Sequence, residues 1–445
     1  MENLASEFHS QQSDSDSQNL IQLKPISLLP PQYQSVFSEF TYFNAVQSNF
    51  VETLLETDQS VVVSAPTGSG KTVLFEMAIL KLLLDVDNGV YDTIHDIKAV
   101  YISPLKSLCS EKYNVWKTKF AEPGGHQLRI AEITGDTVDQ GQSSLHFMTN
   151  VHLVLTTPEK WDAMTRKWRD CASVLNQVRL LMLDEVHLLG EESRGPVLEA
   201  VVCRMRTVQK SQRASQPIRF VAVSATIPNI YDIALWLGFG KPTVYAQIDD
   251  SFRPVKLTKI VRGFPTKPSQ STFQFEMMLS YKLKSIIMQY SDNKPTLIFC
   301  ATRKGVEHTC TILRQEMSIQ TSPEVREIVD KCMSNMMDNK LKDMLRSSIG
   351  YHHAGMSPED RTIIEQLFRS GYLMILVSTS SLAIGVNLPA HLVIVKSTEN
   401  YVGASGYQEY KETQILQMIG RAGRPQYDTE AIAVILTKQQ NQVGN

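Results

Sequence analysis

The feature that most constrains the fold of this chain is a regular alternation of short apolar runs with stretches of helical periodicity. The runs are VVVSA (61–65), AVYIS (99–103), IAEIT (130–134), HLVLTT (152–157), RLLMLD (179–184), FVAVSAT (220–226), TLIFCAT (296–302), IGYHH (349–353), LMILVST (373–379), LVIVKST (392–398) and AIAVILT (431–437). Runs with so few polar residues are typical of strands buried on both faces, as in parallel sheets covered by helices. The sequence therefore predicts an α/β fold built on parallel sheets.

The length of 445 residues favours two or three domains rather than one core. The alternation is interrupted between residues 240 and 275, where Pro, Lys, Ser and Gln accumulate. The N-terminal segment is rich in Ser, Gln and Asp, which is typical of disorder. We therefore predict a disordered tail (1–25), a first α/β domain (26–245), a linker (246–275) and a second α/β domain (276–445).

Composition excludes several classes of protein. The formal net charge is −2, so any binding of nucleic acid must depend on local contacts. The six cysteines are scattered without a C-x-x-C pair, which favours a reducing compartment and argues against disulfides and an iron–sulfur cluster. The sequence has no apolar run near the ~20 residues of a membrane span and no apolar core of a secretory signal, so we expect no membrane association.

The segment VVVSAPTGSGKTVLFEMAILKLLL (61–84) combines a predicted strand, a glycine-rich loop and a helix. Gly68 and Gly70 allow backbone N–H groups to approach phosphate oxygens, and the start of the helix adds its dipole. Lys71 is placed to reach the β- and γ-phosphates of ATP, and the Thr72 hydroxyl to hold Mg²⁺. The residues expected to bind the nucleotide are Ala65 (in place of the first Gly of the usual pattern), Pro66, Thr67, Gly68, Ser69, Gly70, Lys71 and Thr72.

A second buried strand ends in two carboxylates, in LLMLDEVHLLG (180–190). Such a pair suits a metal site, a general acid–base pair or half of a nucleotide site. The glycine-rich loop favours the third reading, in which Asp184 holds Mg²⁺ and Glu185 orients or deprotonates the attacking water. The spacing H-E-x-x-H is absent, which makes a self-contained zinc site improbable. His187 is either structural or couples the nucleotide to the other domain.

The segment QMIGRAGRPQYD (417–428) places two arginines around a glycine in the second half of the chain. The planar guanidinium suits phosphate charge, and an arginine supplied by a second domain is an arginine finger. Arg421 and Arg424 are the candidates, although arginines in a glycine-rich turn can also be merely solvated.

Nine blocks occur in the order found in superfamily 2 DExH helicases of the Ski-like group, over roughly residues 40–437. They are APTGSGKT, SPLKSL, TTPEKWD, DEVH, SAT, LIFCATR, HHAGM, STSSLAIGVNLPA and QMIGRAGRP. Within that group, the stretch from IGVNLPA to GRAGRPQYD looks most similar to the meiotic crossover DNA helicases. The resemblance implies two RecA-like lobes, ATP in the cleft between them and a single strand across their top.

The resemblance also implies roles for individual residues. For the nucleotide it implies adenine recognition by Gln47 with Phe43 as a stacking partner, contacts from Gly385 and Asn387, and approach to the γ-phosphate by Gln417, Arg421 and Arg424. Ser224 and Thr226 would link hydrolysis to movement of the lobes. For the strand it implies contacts from Pro104, Lys106, Gly135, Asp136, Thr157, Pro158, Thr302, Arg303, His353 and Thr379.

These strand-contacting positions fall just after predicted strands, where α/β sheets bind ligands. They are small, polar or singly basic, so they suit a sugar–phosphate backbone and do not read base sequence. Ordinary turn chemistry is the alternative reading of Pro104, Pro158 and Gly135. Nothing in these blocks separates DNA from RNA.

The segment STENYVGASGYQEYKET (397–413) predicts a β-hairpin with Tyr401 and Tyr407 flanking the turn signal GASG. In related helicases a hairpin at this place splits the duplex, so both tyrosines are candidate nucleic-acid contacts. The alternative is a surface hairpin whose tyrosines pack inward.

The reading with most support is an ATP-driven 3′–5′ DNA translocase and helicase acting on single-stranded and branched DNA. By resemblance, it would work in the nucleus, in meiotic homologous recombination and crossover formation. Alternatives are an RNA helicase of the same group, a nucleic-acid-stimulated ATPase core without unwinding, and a degenerate ATPase that acts as a scaffold or binding module. Intact Lys71, Asp184, Glu185, Arg421 and Arg424 argue against the last of these. Relatives continue into winged-helix and helical ratchet domains, so we expect this chain to be truncated before them. The sequence identifies no protein that recruits it.

Overall fold

The computed structural model describes residues 22–444, apart from 122–127, 136–147, 192–193, 212–216, 226, 228, 268, 335, 381, 384–387, 404–405 and 425–426. The described chain forms two α/β lobes, each built on a parallel sheet, and a separate two-stranded hairpin. The predicted fold class, two tandem RecA-like parallel-sheet domains, is confirmed. The predicted disordered tail (1–25) lies, except for residues 22–25, outside the described residues.

The first lobe contains a seven-stranded sheet in the order β3-β4-β2-β5-β6-β1-β7, in which every neighbouring pair is parallel. Its strands are β1 (Ser60–Ser64), β2 (Lys98–Ile102), β3 (Ile130–Ile133), β4 (Leu153–Thr156), β5 (Val178–Leu183), β6 (Arg219–Ser224) and β7 (Thr243–Gln247). Val61 and Val63 pack into the apolar cluster on one face, and Val62 into the cluster on the other. Apolar residues predominate in the central strands because both faces of the sheet are covered.

The second lobe contains a six-stranded parallel sheet in the order β10-β11-β9-β12-β15-β8. Its strands are β8 (Lys256–Phe264), β9 (Thr296–Cys300), β10 (Ile349–His352), β11 (Ile375–Thr379), β12 (Leu392–Val395) and β15 (Glu430–Lys438). Strands β13 (Glu399–Tyr401) and β14 (Tyr407–Glu409) form the antiparallel hairpin.

Helices connect the strands and cover the sheets. Those of the first lobe are Pro31–Gln34, Ala45–Ser48, Val51–Glu56, Thr72–Asp87, Lys106–Trp116, Pro158–Thr165, Ala172–Leu175, Gly195–Ser211 and Ile230–Gly238. Those of the second lobe are Thr272–Ser280, Leu283–Tyr290, Arg303–Glu316, Pro323–Ser334, Asn339–Leu345, Pro358–Arg369 and Glu412–Ile419. None of the helices in the described ranges has the length and apolarity to cross a bilayer.

The connection between the lobes is shorter than the predicted linker (246–275). Strand β7 continues to residue 247 in the first sheet, and residues 256–264 form β8 at the edge of the second. Strand β8 reads KLTKIVRGF and is exposed or half-buried along its length. Because it carries several polar residues, the sequence pattern did not predict it as a strand and assigned it to the linker. The chain crosses from one sheet to the other between residues 248 and 255.

Arg219 joins the start of β6 to the helix that precedes β1. Its guanidinium donates hydrogen bonds to the carbonyl oxygens of Thr53, Leu54 and Gln59, each at 2.9 Å. Burial lowers the pKa of Arg219 to about 10, yet three acceptors compensate for its desolvation. This side chain therefore fixes the approach of the polypeptide to the strand that carries the glycine-rich loop.

We expect Arg219→Ala to destabilise the first lobe by about 2–4 kcal/mol, because it removes three charge-assisted hydrogen bonds and leaves their acceptors buried. Differential scanning calorimetry measures the change as a lowered melting temperature. Arg314, exposed on the helix Arg303–Glu316, gives the matched control, and Arg314→Ala should leave the melting temperature within about 1 °C. Equal melting temperatures for the two variants would contradict the role of Arg219.

Candidate functional site

The glycine-rich loop follows β1 and leads into the helix Thr72–Asp87. Gly68 and Gly70 have φ of +84° and +83°, a left-handed conformation that glycine adopts without a steric penalty. The Lys71 ammonium donates to the carbonyl oxygens of Ala65 (2.6 Å) and Pro66 (2.8 Å), so the side chain folds back over its own loop. Burial lowers the pKa of Lys71, and the carboxylates of Glu185 and Asp184 oppose that shift.

Gln47 and Phe43, to which the resemblance assigns adenine recognition, both contact other residues of the first lobe. Gln47 donates from Nε2 to the carbonyl oxygen of Gly70 at 3.2 Å, and its neighbour Asn44 donates from Nδ2 to that of Ser69 at 3.0 Å. Gln47 and Asn44 therefore hold the backbone of the glycine-rich loop. The ring of Phe43 is fully buried and packs edge-on against Phe37 at 5.2 Å, so in this conformation it presents no face to a ligand.

Asp184 and Glu185 stand at the end of β5. Tyr101 donates its hydroxyl proton to Oδ2 of Asp184 at 2.5 Å, and the backbone N–H of Glu185 donates to Oδ1 at 2.9 Å. Burial and repulsion from Glu185 raise the pKa of Asp184 above its ordinary value. Glu185 has φ of +54°, which is uncommon for a residue with a side chain and is a strained feature of the kind found at functional sites.

A cavity of about 360 Å³ lies between the lobes and brings these groups together. Its first-lobe wall contains Thr67, Gly68, Gly70, Lys71, Thr72, Asp184 and Glu185, and its second-lobe wall contains Pro389, Gly420, Arg421, Ala422 and Gly423. A glycine cradle with a lysine suits a polyphosphate. A hydroxyl and two carboxylates are oxygen donors of the kind that Mg²⁺ prefers, so the donor set fits that ion.

His187 connects the lobes. Its Nδ1 lies 3.1 Å from the Ser224 hydroxyl and 3.3 Å from Oε2 of Glu185. Its Nε2 lies 2.8 Å from the side-chain amide nitrogen of Gln417, a residue of the second lobe. Burial lowers the pKa of His187, so the neutral ring is favoured, with Nε2 accepting from the amide N–H. His187 is thus hydrogen-bonded to Gln417 of the second lobe and lies 3.3 Å from Glu185, which is compatible with the coupling alternative.

The two candidate arginine fingers occupy different surroundings. Arg421 lines the cavity, and its Nε donates to the carbonyl oxygen of Ala383 at 3.0 Å. The guanidinium of Arg424 pairs with buried Asp428 through Nε at 2.8 Å and lies over the ring of Tyr427. Of the two candidate fingers, Arg421 is the one that faces the candidate nucleotide site in this conformation.

Three charged lining residues were not predicted from the sequence: Arg253, Glu111 and Lys112. Arg253 belongs to the stretch between the sheets, which carries no motif that we recognised. Glu111 and Lys112 lie on the helix Lys106–Trp116, where charged residues are as expected on any solvated face. Only their position in the folded chain marks them.

Four predicted strand contacts of the first lobe converge on one groove. Strands β3, β4 and β2 are neighbours, and the residues that follow their carboxyl ends lie together. Pro104, Lys106, Gly135 and Thr157 line a cavity of about 470 Å³ there, and Thr157 caps the adjoining helix, of which Pro158 is the first residue. The sequence did not predict the other lining residues, Leu105, Glu159, Lys160, Ala163 and Arg194.

The predicted strand contacts of the second lobe follow β9, β10 and β11, which are also neighbours. Thr302 caps the helix Arg303–Glu316 by accepting from the N–H of Gly305 at 3.0 Å, and Arg303 is exposed beside it. Thr379 ends β11. His353 is buried with its ring stacked on Tyr351 at 5.5 Å, so it supports this edge from within.

The predicted hairpin is confirmed, with Tyr401 paired directly to Tyr407. The two rings lie edge-on at 5.4 Å, and Tyr401 is 54% exposed whereas Tyr407 is half-buried. Neither reading of these tyrosines holds for both, since one faces solvent and the other packs partly inward. Lys438 fixes the base of the hairpin to β15 through an ion pair with Glu399 at 2.5 Å.

Four predicted residues lie outside the described part of the chain: Asp136, Thr226, Gly385 and Asn387.

Comparison with known families agrees with this geometry. The family model described as DEAD/DEAH box helicase matches residues 44–233, and that described as helicase conserved C-terminal domain matches residues 324–426. The first match lies in the lobe of the glycine-rich loop, and the second in the lobe of Arg421. The two matches together cover more than half of the chain, which belongs to the DEAD/DEAH box helicases.

Individual relatives are similar over almost the whole chain. The human protein named probable ATP-dependent DNA helicase HFM1 is 49% identical over 94% of this chain and 29% of its own length. The ATP-dependent DNA helicase MER3 of Saccharomyces cerevisiae is 41% identical over 92% of this chain and 32% of its own length. Activating signal cointegrator 1 complex subunit 3 of Dictyostelium discoideum is 37% identical over 94% of this chain. The chain spans about a third of the length of the first two relatives.

We expect Gln417→Ala, a change in the second lobe, to make the segment around His187 in the first lobe more mobile, because it removes the hydrogen bond between Gln417 and His187. Hydrogen–deuterium exchange should become faster in residues 186–190 of the nucleotide-free protein, as well as around the mutated helix. Gln408→Ala, on the exposed face of the hairpin in the same lobe, is the control and should leave residues 186–190 unchanged. Unchanged exchange there in Gln417→Ala would show that the contact does not hold the lobes together.

Proposed function

We propose that this chain is the motor core of an ATP-dependent 3′–5′ DNA helicase that couples ATP hydrolysis to movement along single-stranded DNA and to unwinding. The observation that carries the proposal is the cavity between the lobes. It combines a phosphate-binding loop and two carboxylates from one lobe with an arginine from the other. A site shared in this way can act only when the lobes approach each other, and hydrolysis is thereby linked to their relative movement.

The residues of the cavity supply the groups that phosphoryl transfer to water requires. The N–H groups of the glycine-rich loop and Lys71 would hold the β- and γ-phosphates of ATP. Glu185 would orient the attacking water and accept its proton, and Arg421 would balance charge on the γ-phosphate. Thr72 and Asp184 would hold Mg²⁺, which when bound neutralises phosphate charge.

His187 supports the proposed coupling of hydrolysis to lobe movement. It contacts Glu185 on one side and Gln417 on the other, and it also binds Ser224. A change at Glu185 on hydrolysis would therefore reach the second lobe through one ring. His187 lies within hydrogen-bonding distance of Gln417 and Ser224 and 3.3 Å from Glu185, which supports a role for His187 in coupling hydrolysis to lobe movement.

The strand would bind along the carboxyl edges of both sheets. Two features support this path: the groove of the first lobe, lined by Pro104, Lys106, Gly135 and Thr157, and the residues that follow the adjacent strands β9, β10 and β11 in the second lobe. Hydroxyls, backbone groups and single basic side chains suit contact with phosphate and sugar. The hairpin, with exposed Tyr401 near its turn, would stand where the duplex separates.

The finer parts of the proposal rest on similarity. DNA as substrate is supported by the names of the human and yeast relatives, which are both called ATP-dependent DNA helicases. The 3′–5′ direction, branched DNA, Mg²⁺, the nucleus and meiotic crossover formation follow from the resemblance to the meiotic crossover helicases. RNA remains the alternative strand, since the contacting residues do not probe the 2′-hydroxyl.

Steady-state ATP hydrolysis by this chain should rise at least tenfold with single-stranded DNA and much less with RNA of equal length, because the strand bridges both lobes and favours the closed cleft. Lys71→Ala should abolish turnover while the melting temperature stays within a few degrees. Equal stimulation by RNA would support the RNA alternative. Turnover unaffected by Lys71→Ala would contradict the assignment of the site.

Glu185→Gln should keep ATP binding within about threefold and slow single-turnover hydrolysis by ~10²–10⁴-fold, since the amide cannot accept the proton of water. Equilibrium binding of a fluorescent ATP analogue and rapid-quench hydrolysis measure the two quantities separately. Exposed Glu159, in the strand groove, provides the control Glu159→Gln, which should hydrolyse ATP at the normal rate without a strand. Loss of nucleotide binding in Glu185→Gln would argue against the proposed role.

A further inference from the structure

Arg253 lies in the stretch that joins the two sheets, and its side chain reaches the loop that carries Arg421. Its Nη2 donates hydrogen bonds to the carbonyl oxygens of Gly420 at 2.9 Å and Ala422 at 2.6 Å. These two residues flank Arg421 in the sequence. A single guanidinium nitrogen of Arg253 therefore holds the backbone on both sides of Arg421.

Other backbone groups of this loop are bound to Ala390, which precedes β12. The carbonyl oxygen of Arg421 accepts from the N–H of Ala390 at 2.9 Å, and the N–H of Gly423 donates to the carbonyl oxygen of Ala390 at 2.7 Å. Val255 packs against Gly423, where an added Cβ would lie 2.8 Å from its Cγ1. The loop is thus bound by β-type pairing on one side and by the joining stretch on the other.

Gly420 is also the point where the loop meets the first lobe. An added Cβ at Gly420 would lie 2.8 Å from Oγ1 of Thr67, which belongs to the glycine-rich loop. The backbone held by Arg253 therefore touches the phosphate-binding element of the opposite lobe. A shift of a few tenths of an ångström in this loop would change both the direction of Arg421 and its distance from the nucleotide site.

The Arg253 guanidinium is a buried cation, and its hydrogen-bond acceptors include two neutral carbonyls of the loop. Lys71, Arg253 and Arg421 all line one cavity, and the two arginines oppose the charged form of Lys71. The carboxylate of Asp250, which favours the charged form of Arg253, is ion-paired with Lys259 at 2.6 Å. Burial lowers the pKa of Arg253. The two carbonyl acceptors therefore compensate part of the desolvation of the Arg253 guanidinium and tie it to residues 420–422.

We propose that Arg253 is a positioning residue for ATP hydrolysis, which sets the backbone of residues 420–422 and so directs the Arg421 guanidinium at the phosphates. The inference rests on the proposed function and adds to it a residue outside the motif blocks. Because Arg253 belongs to the joining stretch, the alignment of Arg421 depends on the position of the connection between the lobes. Opening of the cleft would then withdraw the arginine and slow hydrolysis.

A double-mutant cycle in single-turnover ATP hydrolysis tests the inference. Arg421→Ala should slow hydrolysis by up to ~10³-fold, and Arg253→Ala by about ten- to a hundredfold through misplacement of Arg421. The double variant should be no slower than Arg421→Ala alone, within about threefold, because Arg253 acts through Arg421. The KM for ATP should change by less than about threefold in Arg253→Ala, since the glycine-rich loop is intact.

Arg262→Ala is the matched control. Arg262 lies on β8, and its guanidinium donates to Gln289 and Tyr290 away from the cavity, so its loss should leave hydrolysis within about twofold. Arg253→Lys keeps the charge and part of the donor set and should recover part of the rate. If Arg253→Ala does not fold, the lysine variant is carried through the same cycle.

The outcomes separate this inference from the proposed function. A wild-type chain that does not hydrolyse ATP with or without a nucleic-acid strand overturns the proposed function. In that case hydrogen exchange of residues 419–424 tests whether Arg253 holds the backbone of the loop. Faster exchange there in Arg253→Ala supports the contact, and unchanged exchange overturns it. With an active wild type, an unaffected Arg253→Ala or an additive double variant overturns the positioning role.

Discussion

The parallel pairing of strands is the constraint on which the rest of the structure depends. In a parallel sheet every carboxyl end lies at the same edge, so loops that are distant in the sequence become neighbours. Strands β5, β6 and β1 are adjacent, which brings the D-E pair, Ser224 and the glycine-rich loop to one place. Strands β3, β4 and β2 are adjacent as well, and they place the groove lined by Pro104, Lys106, Gly135 and Thr157 on the same edge. One edge of one sheet therefore carries both the candidate nucleotide site and the candidate nucleic-acid groove.

The cleft between the lobes depends on unlike and like charges in a confined volume. Asp184 and Glu185 repel each other, and Arg253 and Arg421 each oppose the charged form of Lys71 in the same cavity. Lys71 donates to carbonyl oxygens of its own loop, and Arg421 donates to the carbonyl oxygen of Ala383. Such an arrangement favours a ligand that carries both signs, and a metal–nucleotide complex does so.

Two contacts between the lobes suit parts that are proposed to move. His187 and Gln417 share one hydrogen bond, and Gly420 packs against Thr67 without room for a side chain. Small, polar contacts of this kind can be broken and remade at low cost, whereas an apolar interface would hold the lobes together. The connection between the lobes adds Arg253 to the same region, where it binds the backbone on both sides of Arg421.

The sequence predicted the interior of both sheets well, because strands buried on both faces are mostly apolar. It did not predict β7 and β8, which lie at sheet edges, are half-exposed and therefore carry Lys, Thr and Gln. The motif residues of the nucleotide site were predicted by type and spacing, and most of them line the cavity. In the folded chain Phe43 is buried in the core and Gln47 binds the glycine-rich loop, so their contact with adenine stays a prediction.

By itself the sequence determined the fold class, the glycine-rich loop with its acidic partner and the family, because each depends on local residue types and short spacings. Only the tertiary structure decided which of Arg421 and Arg424 faces the cavity, because the choice depends on the buried partner Asp428. Only the fold brought His187 to Gln417 and Arg253 to the loop of Arg421, across 230 and more than 160 residues. Such contacts are set by the packing of whole lobes, and no local pattern in the sequence records them.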